Sequence, residues 1–179
     1  VESSTRARLA ERGLTAKYRF DKMIGDSPQL REAIRKAKRY SGVDSIVLIT
    51  GESGTGKELF AQSIHNHSPR ANGPFVAINC ATLPASLLES ELFGYSEGAF
   101  TGAKRGGKVG LFELAHNGTI FLDEIAEIGT PIQAQLLRVM EEKQIMRIGD
   151  DKIIPVNVRI IAATNKNLRK MVQQEKFRE

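Results

Sequence analysis

This 179-residue sequence predicts an α/β fold in which a parallel sheet is sandwiched by helices. Three observations carry that expectation. Short apolar runs near 46–50, 75–79, 119–123 and 158–163 have the length and character of strands buried on both faces. Stretches with helical periodicity lie between them, near 57–66, 84–92, 108–116 and 131–142, and such alternation builds a parallel sheet with helices on both sides. The residues with the most chemical potential fall where the strands end, the edge at which open α/β sheets bind ligands.

Taken in order, residues 1–19 read as a polar helix or linker broken at Gly13, the expected tail of a connection from an upstream domain. Asp26-Ser27-Pro28 is a helix start, with proline at the first helical position, and leads a helix to about Tyr40. Its apolar face is Leu30, Ala33, Ile34 and Ala37. Arg31, Arg35, Lys36, Lys38 and Arg39 then form a solvated face; no aromatic residues interleave with them as a nucleic-acid surface would require. The strand–helix alternation follows, interrupted by a hairpin of 144–148 and 152–156 that turns at Gly149-Asp150-Asp151. There are no internal repeats.

Composition bounds the class. A chain with 41% hydrophobic and 26% charged residues can bury one sizeable core. No apolar stretch approaches the roughly twenty residues that span a bilayer, and the start is polar, so neither a membrane partner nor a secretory signal is expected. The single Cys80 excludes an internal disulfide and fits a cytoplasmic protein; following Asn79 at a strand end, it reads as a small buried residue. His65 and His67 lack neighbouring ligands for a metal site. The net charge of +5 is uneven, with residues 1–40 at +6 and the remainder at −1.

The chemistry starts at Gly51-Glu52-Ser53-Gly54-Thr55-Gly56-Lys57, directly after the first apolar run. Three glycines let the backbone curl so that its N–H groups converge on phosphates, a following helix presents its positive end, and Lys57 reaches the outer phosphates as a point charge. The next residue is Glu58, where a magnesium-binding Ser or Thr is usual. A second motif, Thr119-Ile120-Phe121-Leu122-Asp123-Glu124, sets two carboxylates on a strand tip. In a phosphate-loop enzyme Asp123 can hold magnesium through its water shell and Glu124 can polarise the attacking water. A third strand ends in Thr164-Asn165, whose amide can bond both that water and the terminal phosphate. Asn79 ends a fourth; it either holds Glu124 aside or is a turn residue. Between Gly94 and Leu111 runs a long segment containing Gly98-Ala99-Phe100-Thr101-Gly102-Ala103. Its lone Phe100 is either exposed for a partner or tucked back on the body.

Together, Gly51–Glu58, Glu89–Ala103, Gly118–Glu124 and Val158–Asn165 resemble the AAA+ central domain of the NtrC-type bacterial enhancer-binding proteins, the sigma-54-dependent transcriptional activators. The resemblance covers about residues 20–179 and is most specific at the intact Gly98–Ala103 loop. It implies a P-loop NTPase of AAA+ type that hydrolyses ATP with Mg2+ in a ring, usually a hexamer. Its Gly98–Ala103 loop would contact the sigma-54 RNA polymerase holoenzyme. The family's phosphate loop ends in Lys-Glu, so Glu58 matches it. Ile24 and Gly25 match the adenine position, and Arg178 matches an arginine finger acting in trans. The family's helical lid and C-terminal DNA reader would lie beyond residue 179. Two other readings remain at this point: another AAA+ remodelling ATPase, and a nucleotide-dependent assembly module without turnover.

Overall fold

The structure, a computed structural model, describes residues 2–173 apart from Thr55. In chain order its helices are α1 (Glu2–Glu11), α2 (Pro28–Ser41), α3 (Lys57–Asn66), α4 (Ala85–Phe93), α5 (Leu111–Leu114), α6 (Thr130–Glu142) and α7 (Leu168–Gln173). Its strands are β1 (Val47–Thr50), β2 (Phe75–Asn79), β3 (Gly94–Tyr95), β4 (Lys108–Val109), β5 (Thr119–Asp123), β6 (Gln144–Ile145), β7 (Ile154–Pro155) and β8 (Arg159–Thr164). Single 3-10 turns sit at Phe20–Lys22 and Ile125–Glu127.

The main sheet is parallel with strand order β1-β8-β5-β2. Leu48 pairs with Ala162, Leu122 with Ala162, and Ile78 with Leu122, so all four strands finish at one edge. Period-two side chains divide the core into two layers. Ile120, Leu122, Ile160 and Ala162 join Leu88, Leu92, Phe112, Ile132 and Leu136 on one face. Phe121, Ile161 and Ala163 join Phe20, Ala37, Ala61 and Ile64 on the other. Only β5 and β8 are covered on both faces along most of their length. The expectation of full burial fails for β1. It is an edge strand, and Ile46 and Leu48, about half exposed, line an apolar groove of about 310 Å3 with Met140 and Leu168.

Local chemistry explains most boundaries. Ser27 caps α2 by accepting from the Leu30 N–H at 3.1 Å, and Pro28 needs no donor there. Leu30, Ile34 and Ala37 turn inward as expected, but Ala33 is exposed. The helix expected over 108–116 is shortened to α5, because Lys108 and Val109 pair with β3 instead. Gly13, with φ +68°, ends the α1 segment as the sequence suggested. No described helix is long and apolar enough to cross a membrane.

Two buried polar side chains pin the sheet. Arg159, 2% exposed, donates to the Tyr40 and Ser41 carbonyls at the end of α2 at 2.5 and 3.1 Å. His65 lies between Thr119 Oγ1 at 2.8 Å and the Gly73 carbonyl at 3.2 Å. The neutral ring satisfies both, with Nε2–H donating to Gly73 and Nδ1 accepting from the threonine hydroxyl. Burial pulls its pKa down to about 4, opposed by the hydrogen bond to the Gly73 carbonyl, with smaller downward pulls from the Arg159, Arg6 and Arg70 charges. The unfolded chain therefore takes up a proton near pH 6.5 that the native state refuses until about pH 4. His65 leaves stability intact above pH 6.5 and should remove about 3 kcal/mol as the pH falls through that window. Chemical unfolding of wild type and His65→Gln between pH 7 and 4 tests this. The variant, lacking the titrating ring, should show the shallower loss, and parallel curves would refute the assignment.

Candidate functional site

The phosphate loop leaves β1 at Gly51, whose N–H donates to the Thr164 carbonyl at 3.2 Å and so continues the β1–β8 ladder into the loop. Gly54 and Gly56 both have φ of +80°, a conformation a side chain would strain. Gly56 is the N-cap of α3 and supplies no side chain to the first-turn N–H groups, leaving that end of the helix for an anion. Lys57 Nζ bridges the Gly51 and Glu52 carbonyls at 2.9 and 2.8 Å. An ammonium has three donors, so one remains unused among the described residues. Glu58 sits in the first turn of α3 and touches Gln62. Ile24, 99% exposed, and Gly25 lie just before α2, which packs on α3.

Beside the loop stand the tips of β8, β5 and β2. Asn165 Nδ2 reaches Ser53 Oγ at 3.3 Å, so the expected sensing amide lies against the phosphate loop itself. Thr164 is buried, its hydroxyl accepting from the Lys166 N–H at 3.0 Å. Asp123 accepts the Glu124 N–H on Oδ1 at 2.9 Å, while its other oxygen has no partner among the described residues. Glu124 has φ +52° and ψ +49°, a left-handed conformation that costs a branched or bulky residue about 1 kcal/mol or more. Strain of this kind concentrates where a side chain must point in a set direction. Asn79 pairs with Asp123, and the Cys80 N–H donates to the Asp123 carbonyl at 2.9 Å. Burial, with the nearby Asp123 and Glu124 carboxylates, pushes the Cys80 thiol up to about 12, so it is an inert packed group. The Asn79 side-chain oxygen accepts from the Ala81 N–H at 2.9 Å and makes no hydrogen bond to Glu124 among the described residues. Of the two readings of Asn79, this geometry is the turn.

Asp123 and Glu124 are adjacent carboxylates that no third His, Cys, Asp or Glu joins as a metal-binding group among the described residues. So small an acidic set suits Mg2+, which keeps most of its shell as water and substrate phosphate. His65 is taken up by Thr119 and Gly73, and His67 packs edge-on against Phe20.

Directly after α4, β3 pairs with β4 as a short antiparallel base for the segment between them. Gly98 and Gly102 have φ of +76° and +89°, with nothing within 4 Å of where a Cβ would stand. Phe100 is not free of the body. Its ring meets Tyr95 edge-on with centroids 4.9 Å apart, leaving it 45% exposed. The 144–156 hairpin supports this base: Ser96 donates to the Ile148 carbonyl at 3.0 Å, and Ile148 donates to Gly94 at 2.9 Å. Arg147 forks the Glu113 carboxylate with two bonds of 2.9 Å. Sequence patterning missed the parts played by Tyr95 and Arg147, because neither follows a periodicity. The tyrosine beside a glycine-rich segment was the one available signal. Thr55 and Arg178 lie outside the described residues.

This geometry has relatives. The chain matches the family described as Sigma-54 interaction domain over residues 23–179. A signal-transduction and transcriptional-control protein of Clostridium beijerinckii is 60% identical over 165 residues, covering 92% of this chain and 26% of that protein. The ATP complex of NtrX from Brucella abortus is 40% identical with a TM-score of 0.81, over 88% of this chain and 34% of that one. The P-loop NTPase domain of an E. coli sigma-54 activator, 20% identical with a TM-score of 0.55, covers 84% of each chain and shares the fold. This chain thus spans about a quarter to a third of the longer relatives. Residues 23–179 carry the match, the strand-edge phosphate loop carries the fold, and the chain belongs to the Sigma-54 interaction domain family.

Proposed function

We propose that this chain is the ATP-hydrolysing AAA+ domain of a sigma-54-dependent transcriptional activator, a motor that remodels sigma-54 RNA polymerase holoenzyme for promoter opening. The observation that carries the reading is the convergence of Lys57, Asp123, Glu124 and Asn165 at one sheet edge, in a chain whose separate glycine-hinged loop presents Phe100. Family membership and an ATP-bound structural relative support the nucleotide.

In this reading the Gly51–Lys57 backbone and the α3 N-terminus cradle the phosphates, with adenine beside Ile24 and Gly25. Lys57 exchanges its loop carbonyls for phosphate oxygens. Asp123 would hold Mg2+ through its water shell, and the ion would supply countercharge to the phosphates. Glu124, aimed by its left-handed backbone, takes the proton of the attacking water, and Asn165 orients that water against the terminal phosphate. Asn79 is a positioning residue: leaving its turn with Ala81, it would restrain Glu124. The domain works in a ring, usually a hexamer, where Arg178 of one copy stabilises charge at a neighbour's site. Promoter DNA is held by another part of the protein.

Lys57→Ala should weaken nucleotide binding about tenfold or more, the usual size for losing a charged hydrogen-bonding partner. Glu124→Gln should keep binding in titration calorimetry yet lower turnover about a hundredfold or more. Near-normal turnover would remove Glu124 from the chemistry. Phe100→Ala in the full-length protein decides the partner. Basal hydrolysis should persist while sigma-54 binding in the presence of a phosphate transition-state analogue is lost, since one aromatic anchor often dominates an interface. Full sigma-54 binding by that variant would sink the activator reading.

A further inference from the structure

Tyr95 touches the Phe100 loop at both ends. Its ring holds the Phe100 ring edge-on at 4.9 Å, with 69° between planes. Its hydroxyl oxygen accepts the Lys104 backbone N–H at 3.3 Å. Between these two points the chain has no regular structure and few other ties: Ala99 donates to the Ser96 carbonyl and Ala103 to the Phe100 carbonyl, both within the loop. Gly98, Gly102 and Gly106 have open space around them.

Tyr95 itself is firmly placed. Its side chain is buried, its backbone pairs with Lys108, and it forms a parallel bridge to Ile148 of the second hairpin. Beside it, Gly149 at φ +76° packs so closely that a Cβ would lie 2.6 Å from the Ala99 Cβ. A rigid residue therefore carries the aromatic contact and the side-chain hydrogen bond of the Phe100–Lys104 stretch, while Ala99 before it packs against Gly149. The face of Phe100 against Tyr95 is also the face a partner pocket would need, because an aromatic anchor works by burying its whole ring. The two contacts exclude each other.

We propose that Tyr95 is a latch that parks the Phe100 loop, and that partner engagement requires its release. This rests on the sigma-54 reading of the loop for the partner, but the latch itself is a property of the chain alone. An edge-on aromatic contact and one neutral hydrogen bond each shift a two-state equilibrium several-fold, so together they favour the parked state by roughly ten- to a hundredfold. That bias is small enough for a nucleotide-driven change at the loop base to overcome.

The test uses the full-length protein with Tyr95→Phe, which keeps the ring and loses the hydroxyl, and Tyr95→Leu, which loses both but keeps apolar bulk. Hydrogen exchange without any partner reads the latch directly. Tyr95→Phe should speed exchange at the Lys104 amide about fivefold, and Tyr95→Leu should speed it about tenfold or more across 98–104, with β5 and β8 unchanged in both. Sigma-54 binding in the ADP state should then rise about tenfold in Tyr95→Leu. Unchanged exchange at Lys104 in Tyr95→Phe would overturn the latch even if the leucine variant folded poorly. Faster exchange with weaker sigma-54 binding in the ADP state would overturn it as well, by showing that the parked loop is the engaging one. Faster exchange in a protein whose wild type binds no sigma-54 in any nucleotide state would uphold the latch and sink the partner reading instead.

Discussion

The site depends on the register of β8, which comes last of the four main strands in sequence and lies between β1 and β5 in space. Thr50, Asn79, Asp123 and Thr164 are far apart along the chain, and parallel ladder bonds alone bring them to one edge. Hydrophobic patterning is a weak guarantor of that register. β5 and β8 are apolar on both faces, so a slip by one residue would exchange one apolar set for another. The buried polar contacts discriminate where apolar ones do not. Arg159 must meet the Tyr40 and Ser41 carbonyls, and Thr119 must meet His65; a shifted strand would strand a guanidinium or an imidazole in the core. Both pins lie at the start of their strands, opposite the site. The geometry at one edge is thus set by hydrogen bonds at the other.

With the register fixed, the chemistry needs little more than the loops leaving each tip. Gly51 continues the ladder to Thr164, Cys80 ties to Asp123, and Asn165 reaches Ser53. These short links are local and follow from strand order. Glu124 is the exception, since its left-handed backbone is unfavourable for a glutamate and is tolerated because β5 and the Ile125–Glu127 turn hold it on either side. Lys166 pairs with Glu127 across the same region, joining the segments that follow β8 and β5.

Much of this was legible because it obeys local rules. The phosphate loop, α3, α6 and the Asp123-Glu124 tip announce themselves through glycine spacing, helical period and a carboxylate pair ending an apolar run. The departures have non-local causes. β1 reads as a fully buried strand, yet strand order puts it at an edge, and order is not written in any one segment. The helix expected over 108–116 loses its first turn to β4 because β3 competes for that backbone. Arg159 sits inside an apolar run, where its side chain gives no hint that the end of α2 awaits it. Phe100 left two readings open, and only the meeting with Tyr95 favours the tucked one in this state. The role of Asn79 was equally open, and its bond to Ala81 came from a turn that composition could not rank.

The two functional regions differ in how they are held, and the difference has a consequence. Asp123, Glu124 and Asn165 hang from β5 and β8, whose side chains are almost wholly buried, so their positions are fixed by the global stability of the domain. The Phe100 loop is glycine-hinged, open to solvent around Gly98 and Gly102, and fastened through Tyr95 and the packing of Ala99 on Gly149. Substitutions within it can therefore alter what the loop meets without disturbing the sheet. A change at β5 or β8 disturbs both the fold and the chemistry. The motor proposed above would need this division: a rigid edge where phosphate geometry cannot drift, and a weakly held arm whose position a few hydrogen bonds can decide.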